Sequence, residues 1–225
     1  MGKAILNRML NVPKISSPTF DRFTVSVSSD ATIHRLTKEF SASKSTVDFL
    51  RNENIRAAEA ADAVILCFPL NQFRKVLSQD GRAGAVRDKL VISILAGVSR
   101  QEMEEALSHS YSGTKNEREE YNIIRVMPSL GVRAEESTSL MVEEAPPLPQ
   151  HMRELAESIF RPIGRIHMTK PHLYEPLTVL SAVSHALMSV SIDAIIDSCV
   201  TEGIPREDAL AVAASCWRGY ATLLT

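Results

Sequence analysis

Short apolar runs alternate with helical patterns along the chain to about residue 168. Phe23–Ser28 (FTVSVS) has the composition of a strand, and helical spacing follows from Thr32 to Phe40. Asp62–Phe68 (DAVILCF) and Leu90–Leu95 (LVISIL) are almost continuously apolar, as strands covered on both faces should be. A helix is expected between them, from Asn71 to Ser78. Ser99, with Glu102 three residues later, forms a capping box that opens a helix over Arg100–Ser108. Asn122–Val126 (NIIRV) and a weaker Ser139–Val142 supply further strands. After Pro146-Pro147-Leu148-Pro149, a helix is expected over Gln150–Phe160. This alternation predicts an α/β fold with a doubly wound parallel sheet. Such sheets bind ligands beyond the carboxyl ends of their strands, so the loops after Ser28, Phe68, Leu95 and Val126 share one edge.

From about Lys170 the texture changes to apolar helical patterns: Leu173–Ser184, Ala186–Glu202 and Arg206–Leu224. Gly203 closes one helix, Pro205 opens the next, and Glu207 and Asp208 favour its amino end. The reading divides the chain into an α/β domain over 1–168 and an all-helical domain over 169–225. Helices so apolar and so few have little core of their own. They pack either on a second chain or back onto their own sheet. A net charge of −2 provides no basic field for a polyanion, which argues against nucleic acid as a partner. The apolar runs, Ala63–Leu70 among them, are too short to cross a membrane, and MGKAILNRML lacks the pattern of a secretory signal. Cys67, Cys199 and Cys216 form no paired motif, so neither a disulfide framework nor a metal site is expected, and the setting reads as reducing and cytoplasmic. Cys67 itself reads as a small core residue, and Lys115–Glu120 (KNEREE) as a solvated loop.

Five segments, in order, resemble those of pyrroline-5-carboxylate reductases. Met1-Gly2-Lys3-Ala4-Ile5 resembles the end of that family's glycine-rich loop, and Asn54–Val64 (NIRAAEAADAV) its N-x-E-A-V-x-x-A-D-V-V segment. Ile92–Val98 (ISILAGV) is similar to I-S-I-A-A-G-V, and Arg125-Val126-Met127-Pro128 is identical to R-V-M-P. Ala194–Ala209, with Gly203-Ile204-Pro205-Arg206-Glu207, resembles the G-L-P-R-E helix start of the dimerisation domain. The resemblance covers nearly the whole chain. It implies a Rossmann-like doubly wound sheet followed by an all-α dimerisation domain, and reduction of a cyclic imino acid by a nicotinamide cofactor. It also implies a homodimer formed through the C-terminal helices. Such a site needs a hydride donor, groups that bind the substrate carboxylate, and a proton for the imine nitrogen.

The resemblance implies cofactor contacts at Gly2, Ser28, Ser29, Arg35, Asn54, Phe68, Pro69, Ala96 and Gly97. It implies substrate contacts at Met127, Pro128, Ser129 and Ser181. Hydroxyls and an arginine after the Phe23–Ser28 run, which stands as the second strand of such a fold, favour NADPH, with NADH possible; Asp30 is either a ribose ligand or an N-cap. Asn54 either lines the adenosine pocket or caps the next helix. The family's S-G-S-G-P-A reads Ser181-Ala182-Val183-Ser184-His185-Ala186 here, and its following threonine falls on Val190, with Ser189 and Ser191 beside it. His185 stands either as a proton donor to the imine or as a polar residue at a helix junction, and Ser189 as the nearest hydroxyl. Gly2 matches the third glycine of the fingerprint, so the sheet is expected to lack its first strand. Either coding sequence lies upstream or the form is naturally short. A non-catalytic dimeric relative is the alternative reading. Trp217 and Tyr220 are expected at the chain–chain interface.

Overall fold

The apolar runs do become strands, but the sheet comes in two pieces. The computed structural model describes residues 1–12, 20–43, 46–109 and 120–224. Helix α1 (Gly2–Asn11) leads into β1 (Phe23–Val27), α2 (Asp30–Glu39), β2 (Val47–Arg51) and α3 (Asn54–Glu59). Next come β3 (Ala63–Leu66), α4 (Phe73–Leu77), α5 (Arg82–Val86), β4 (Leu90–Ser93) and α6 (Arg100–Ser108). Then follow β5 (Asn122–Pro128), β6 (Ser137–Val142), α7 (Gln150–Phe160), β7 (Gly164–Thr169), α8 (Pro171–Thr201) and α9 (Arg206–Leu223). Strands β1 and β2 pair in parallel as a two-stranded ribbon, while β3-β4-β5-β6-β7 form a separate sheet in that order. Strands β3, β4 and β5 are parallel, β6 joins antiparallel to β5, and β7 runs parallel to β6.

Alternation along the central strands feeds two cores, one on each face of the sheet. Val91 and Ile123 point into the core built with Met103, Ala106 and Leu107 of α6. Leu90, Ile92, Ile124 and Val126 point into the other, with Ile5 and Met9 of α1 and Ala156, Ile159 and Phe160 of α7. The α7 positions recur at helical spacing, which is why its bounds could be read from the sequence. Phe23 of β1 and Ala63 and Ile65 of β3 pack against this second core, although no ladder joins their strands. All of β4 is buried, whereas β1 is half-buried throughout.

The capping box is present as expected. Ser99 Oγ accepts from Glu102 N at 3.2 Å, and Glu102 Oε2 accepts from Ser99 N at 2.8 Å. These bonds from Ser99 hold the Glu102 carboxyl below its ordinary value of 4.5. A depressed carboxylate contributes stability above that ordinary value, and the contribution is lost as pH falls through the lower folded one. Ser99→Ala is expected to cost about 1 kcal/mol, measured by urea denaturation at neutral pH, with the difference from wild type shrinking in acid.

Several expectations are corrected. Cys67 is exposed, because β3 ends at Leu66 and the thiol lies beyond the strand. The expected helix over Asn71–Ser78 is a 3₁₀ turn, Leu70–Gln72, followed by the short α4. The two patterns Leu173–Ser184 and Ala186–Glu202 form one helix, α8, because nothing near His185 breaks it. That helix has the length and composition to cross a membrane, contrary to the reading of shorter runs. Residues 115–119 of the expected charged loop lie outside the described residues.

The chain divides into two units, Met1–Thr178 and Val179–Thr225. Among the described residues of the second unit only Ile196 and Ala209 are buried hydrophobics. Leu187 (64% exposed), Val190 (69%) and Val212 (64%) stand open to solvent, which leaves these helices without a core of their own.

Candidate functional site

Parallel pairing places the carboxyl ends of β3, β4 and β5 on one edge of the larger sheet. The amino end of α1 meets that edge. Its Gly2 N–H donates to Cys67 Sγ at 3.1 Å, just past β3. A Cβ on Gly2 would stand 2.6 Å from that sulfur, so any larger residue here would make the Cys67 side chain turn aside. No side chain caps α1, although within its first turn Gly2 N–H is engaged by Cys67 Sγ and Ala4 N–H by Met1 O at 2.9 Å. Lys3 Nζ pairs with Glu39 at 2.9 Å and ties this end of α1 to the end of α2.

Of the residues singled out in the sequence, Gly2 is thus brought beside the segment that holds Phe68 (half-buried) and Pro69 (exposed). Ala96 and Gly97 lie exposed past β4 on the same edge. Met127 and Pro128 end β5 on that edge, where Met127 packs with Leu140, Val142 and Tyr174. Ser129 is buried and wired into β6: its hydroxyl accepts from Thr138 N at 3.0 Å and its N–H bonds to Thr138 O at 3.1 Å. Gly2, Phe68, Pro69, Ala96, Gly97, Met127, Pro128 and Ser129 therefore line one end of one sheet.

The ribbon carries the second group. Ser28 is exposed past β1, and Arg35 is exposed on α2. Ser29, rather than Asp30, is the N-cap of α2: its Oγ accepts from Thr32 N at 3.3 Å and lies 2.9 Å from Thr32 Oγ1. Asp30 instead pairs with Arg51 at 2.8 Å, at the end of β2. Asn54 is no cap either, since Glu53 holds that position; the Asn54 carbonyl accepts from Arg82 Nη1 at 2.9 Å. Burial lowers the Arg82 guanidinium from its usual range.

The third group lies in the second unit. Ser181 is half-buried and His185 exposed, and His185 Nδ1 contacts the Ser181 carbonyl at 2.8 Å. His185 therefore sits within a continuous helix, not at a junction. Ser189 Oγ donates to Ala186 O at 2.8 Å and Ser191 Oγ to Leu187 O at 3.0 Å, so both hydroxyl protons are held by the helix backbone. Met188, Cys216, Trp217 and Tyr220 line an open apolar hollow of about 380 Å³, with the two rings edge to face at 6.1 Å. Among the described residues no cluster of His, Cys, Asp and Glu suits a metal ion.

Sequence reading passed over one polar assembly. Arg125 Nε donates to Glu144 Oε1 at 2.9 Å, the two side chains being 9% and 4% exposed. Its guanidinium lies 4.9 Å from the centre of the buried Tyr174 ring and 3.8 Å from Glu175. Burial pushes the Tyr174 hydroxyl above the usual phenol range, and Arg125 pulls it partly back.

The fold and its edge define a two-part protein: a Rossmann-like, dinucleotide-binding type of α/β unit, followed in the chain by an apolar helical module. Residues 171–225 match the family model described as pyrroline-5-carboxylate reductase dimerisation, and residues 1–97 match that of NADP oxidoreductase, coenzyme F420-dependent. Along its whole length the chain is similar to pyrroline-5-carboxylate reductases, and its residues 171–225 carry their dimerisation pattern. It is 29% identical over 231 residues to a Δ1-pyrroline-5-carboxylate reductase of Curvularia clavata, covering 100% of this chain and 72% of that protein. Identity to the pyrroline-5-carboxylate reductase of Lophium arboricola is 28% over 241 residues, covering 100% and 74%. The same fold appears in the Plasmodium falciparum pyrroline carboxylate reductase crystallised with NADP (TM-score 0.76, 20% identity, 100% and 74% covered). It appears also in an imine reductase of Myxococcus stipitatus in complex with NADP+ (TM-score 0.61, 16% identity, 100% and 71% covered).

Proposed function

We propose that the chain is an NADPH-dependent reductase of a cyclic imino acid that works as a homodimer through α8 and α9. The observation that carries this reading is the uncapped amino end of α1, held by Gly2 against the carboxyl edge of β3, in a chain similar to these reductases. The domain division follows: an NADPH-binding part over 1–168 and a dimerising part over 169–225.

The residues present fit the dinucleotide. The amino end of α1, which no side chain caps, would face the pyrophosphate, with Gly2 N–H exchanging Cys67 Sγ for a phosphate oxygen, and Phe68, Pro69, Ala96 and Gly97 border the same edge. Ser28 and Arg35 would hold the adenosine end, near Ser29, whose hydroxyl caps α2, and Asn54. Asp30, an acid that would favour a free ribose, is instead paired with Arg51, which supports NADPH over NADH. When bound, the cofactor supplies the hydride. The remaining work falls to this chain. Met127, Pro128 and Ser129 would border the substrate on the first unit, and Ser181 is the substrate contact proposed on α8. His185, with Nδ1 hydrogen-bonded to the Ser181 carbonyl, keeps Nε2 free to present a proton to the imine nitrogen when the ring is charged. Ser189, its proton held by Ala186, offers only lone pairs. The apolar faces of α8 and α9 meet a second copy rather than lipid, and the protein works in the cytoplasm.

Exposed Cys67 makes the test direct. NADPH is expected to slow alkylation of Cys67 but not of Cys216, with saturation in the micromolar range, read by peptide mass spectrometry. Consumption of NADPH with a five- or six-membered cyclic imino acid completes it. Unchanged Cys67 labelling at saturating NADPH, together with no turnover, sinks the proposal. The committed hydroxyls of Ser189 and Ser191, and Val190 between them, support a second reading as a dimeric binding protein without catalysis. A dimer that shows no cofactor protection is its expected outcome.

A further inference from the structure

Arg125 enters β5 as part of a motif, yet its side chain leaves the strand's ligand edge and is spent inside the protein. Its guanidinium joins three elements. It bonds Glu144, two residues past the end of β6, at 2.9 Å, and lies against the Tyr174 ring at 4.9 Å and Glu175 at 3.8 Å, both in the first turn and a half of α8. Both members of the Arg125–Glu144 pair are more than nine-tenths buried. Burying a charge pair costs desolvation, and an apolar pair of the same volume usually serves stability as well or better. What the ion pair adds is direction, since a planar fork fixes its partners' orientation where a methyl group does not. The polar assembly sits on an apolar patch of Leu140, Val142, Met127 and Leu177, so the arginine and the segment it would steer share one cluster. Two hydroxyls on the same face of α8, Tyr174 OH and Thr178 Oγ1, are buried without a partner and add no anchoring of their own. The polar, directional part of the hold on this stretch of α8, added to the apolar packing of Tyr174 and Leu177, therefore runs through Arg125.

We propose that Arg125 is a positioning residue: through Glu144 and Tyr174 it locks the first two turns of α8 onto the end of β5, and so fixes Met127, Pro128 and Ser129 for the substrate. The kinetic part of this inference rests on the function proposed above; the structural part does not. Dinucleotide contacts lie on other strands and stay as they are.

The test compares the full-length wild-type protein, Arg125→Lys, and the double variant Arg125→Met/Glu144→Leu, which removes the pair without stranding a buried carboxylate. Hydrogen–deuterium exchange is expected to accelerate about tenfold in the peptides covering 127–130 and 171–178 of the double variant, while β4 keeps its protection. Arg125→Lys, which retains the charge but not the fork, falls between. NADPH affinity stays within about twofold, and the KM for the imine rises about tenfold with a smaller change in kcat. Wild-type protection in both peptides of both variants overturns the inference, as does exchange that rises evenly through β4. If the wild type itself fails to reduce any imine, the proposed function has failed, and the exchange pattern still decides this one.

Discussion

Aspartate in place of Leu187 is expected to yield a folded monomer. Leu187 lies on α8 at 64% exposure within a single chain, so the change disturbs no core that the chain builds for itself. In the proposed dimer the same side chain is covered by the second copy. Burying a leucine contributes about 1.5–3 kcal/mol, and a two-fold interface counts the loss twice. The carboxylate adds a desolvation cost on top. The sum is at least about 4 kcal/mol per dimer, or about a thousandfold weaker association. Sedimentation velocity checks it: wild type sediments as a dimer, while Leu187→Asp sediments as a monomer with its far-ultraviolet circular dichroism retained. A variant that remains dimeric at low micromolar concentration would place the interface elsewhere.

Gly164→Ala is expected to be the most destabilising single methyl group in the first unit. Gly164 begins β7 at φ 145°, a conformation that side chains rarely adopt, directly opposite Ser137 of β6. A Cβ built there would overlap the Ser137 carbonyl oxygen and amide nitrogen, which are backbone atoms of a buried residue and cannot rotate aside. Strain and overlap together suggest about 3–5 kcal/mol, and with it a fall in Tm of about 10 °C. Differential scanning calorimetry of the two proteins would show it. A shift of only a degree or two would mean that β6 and β7 separate at little cost.

The sequence announces its elements unevenly, for physical reasons. Arg100–Ser108 and Gln150–Phe160 were legible to the residue, because a capping box opens one and helical spacing fills the other. Strands β4 and β5 declared themselves by continuous burial. By contrast β2 (VDFLR) is five residues long with a charge inside it, and β7 (GRIHMT) alternates its apolar residues with Arg165 and His167. Half-buried edge strands of that kind carry little signal. At the candidate edge, the loops after Phe68, Leu95 and Val126 could be placed because a carboxyl edge follows from topology, whereas Gly2 was named only by the family resemblance. The Arg125 assembly could not: Glu144 lies 19 residues away and its aromatic partner is farther still, so no local period links them. Asp30 and Asn54 show a smaller limit, since each belonged to the right turn and the capping position fell one residue earlier.

The divided sheet has a bearing on cooperativity. Within β3 to β7 every strand shares a hydrogen-bonded ladder with a neighbour, so opening one strand weakens the next. No such ladder joins β1 and β2 to that set; the ribbon is held by side chains such as Phe23 resting on the common core, by α3, and by the surface pair of Lys3 on α1 with Glu39 on α2. It therefore forms a foldon of its own, able to open sub-globally while β4 and β5 remain intact. Because Ser28, Ser29 and Arg35, proposed above to hold the adenosine end, ride on this unit, cofactor binding would draw part of its free energy to order the ribbon. Ligand affinity and the local stability of the ribbon would then be two readings of one equilibrium.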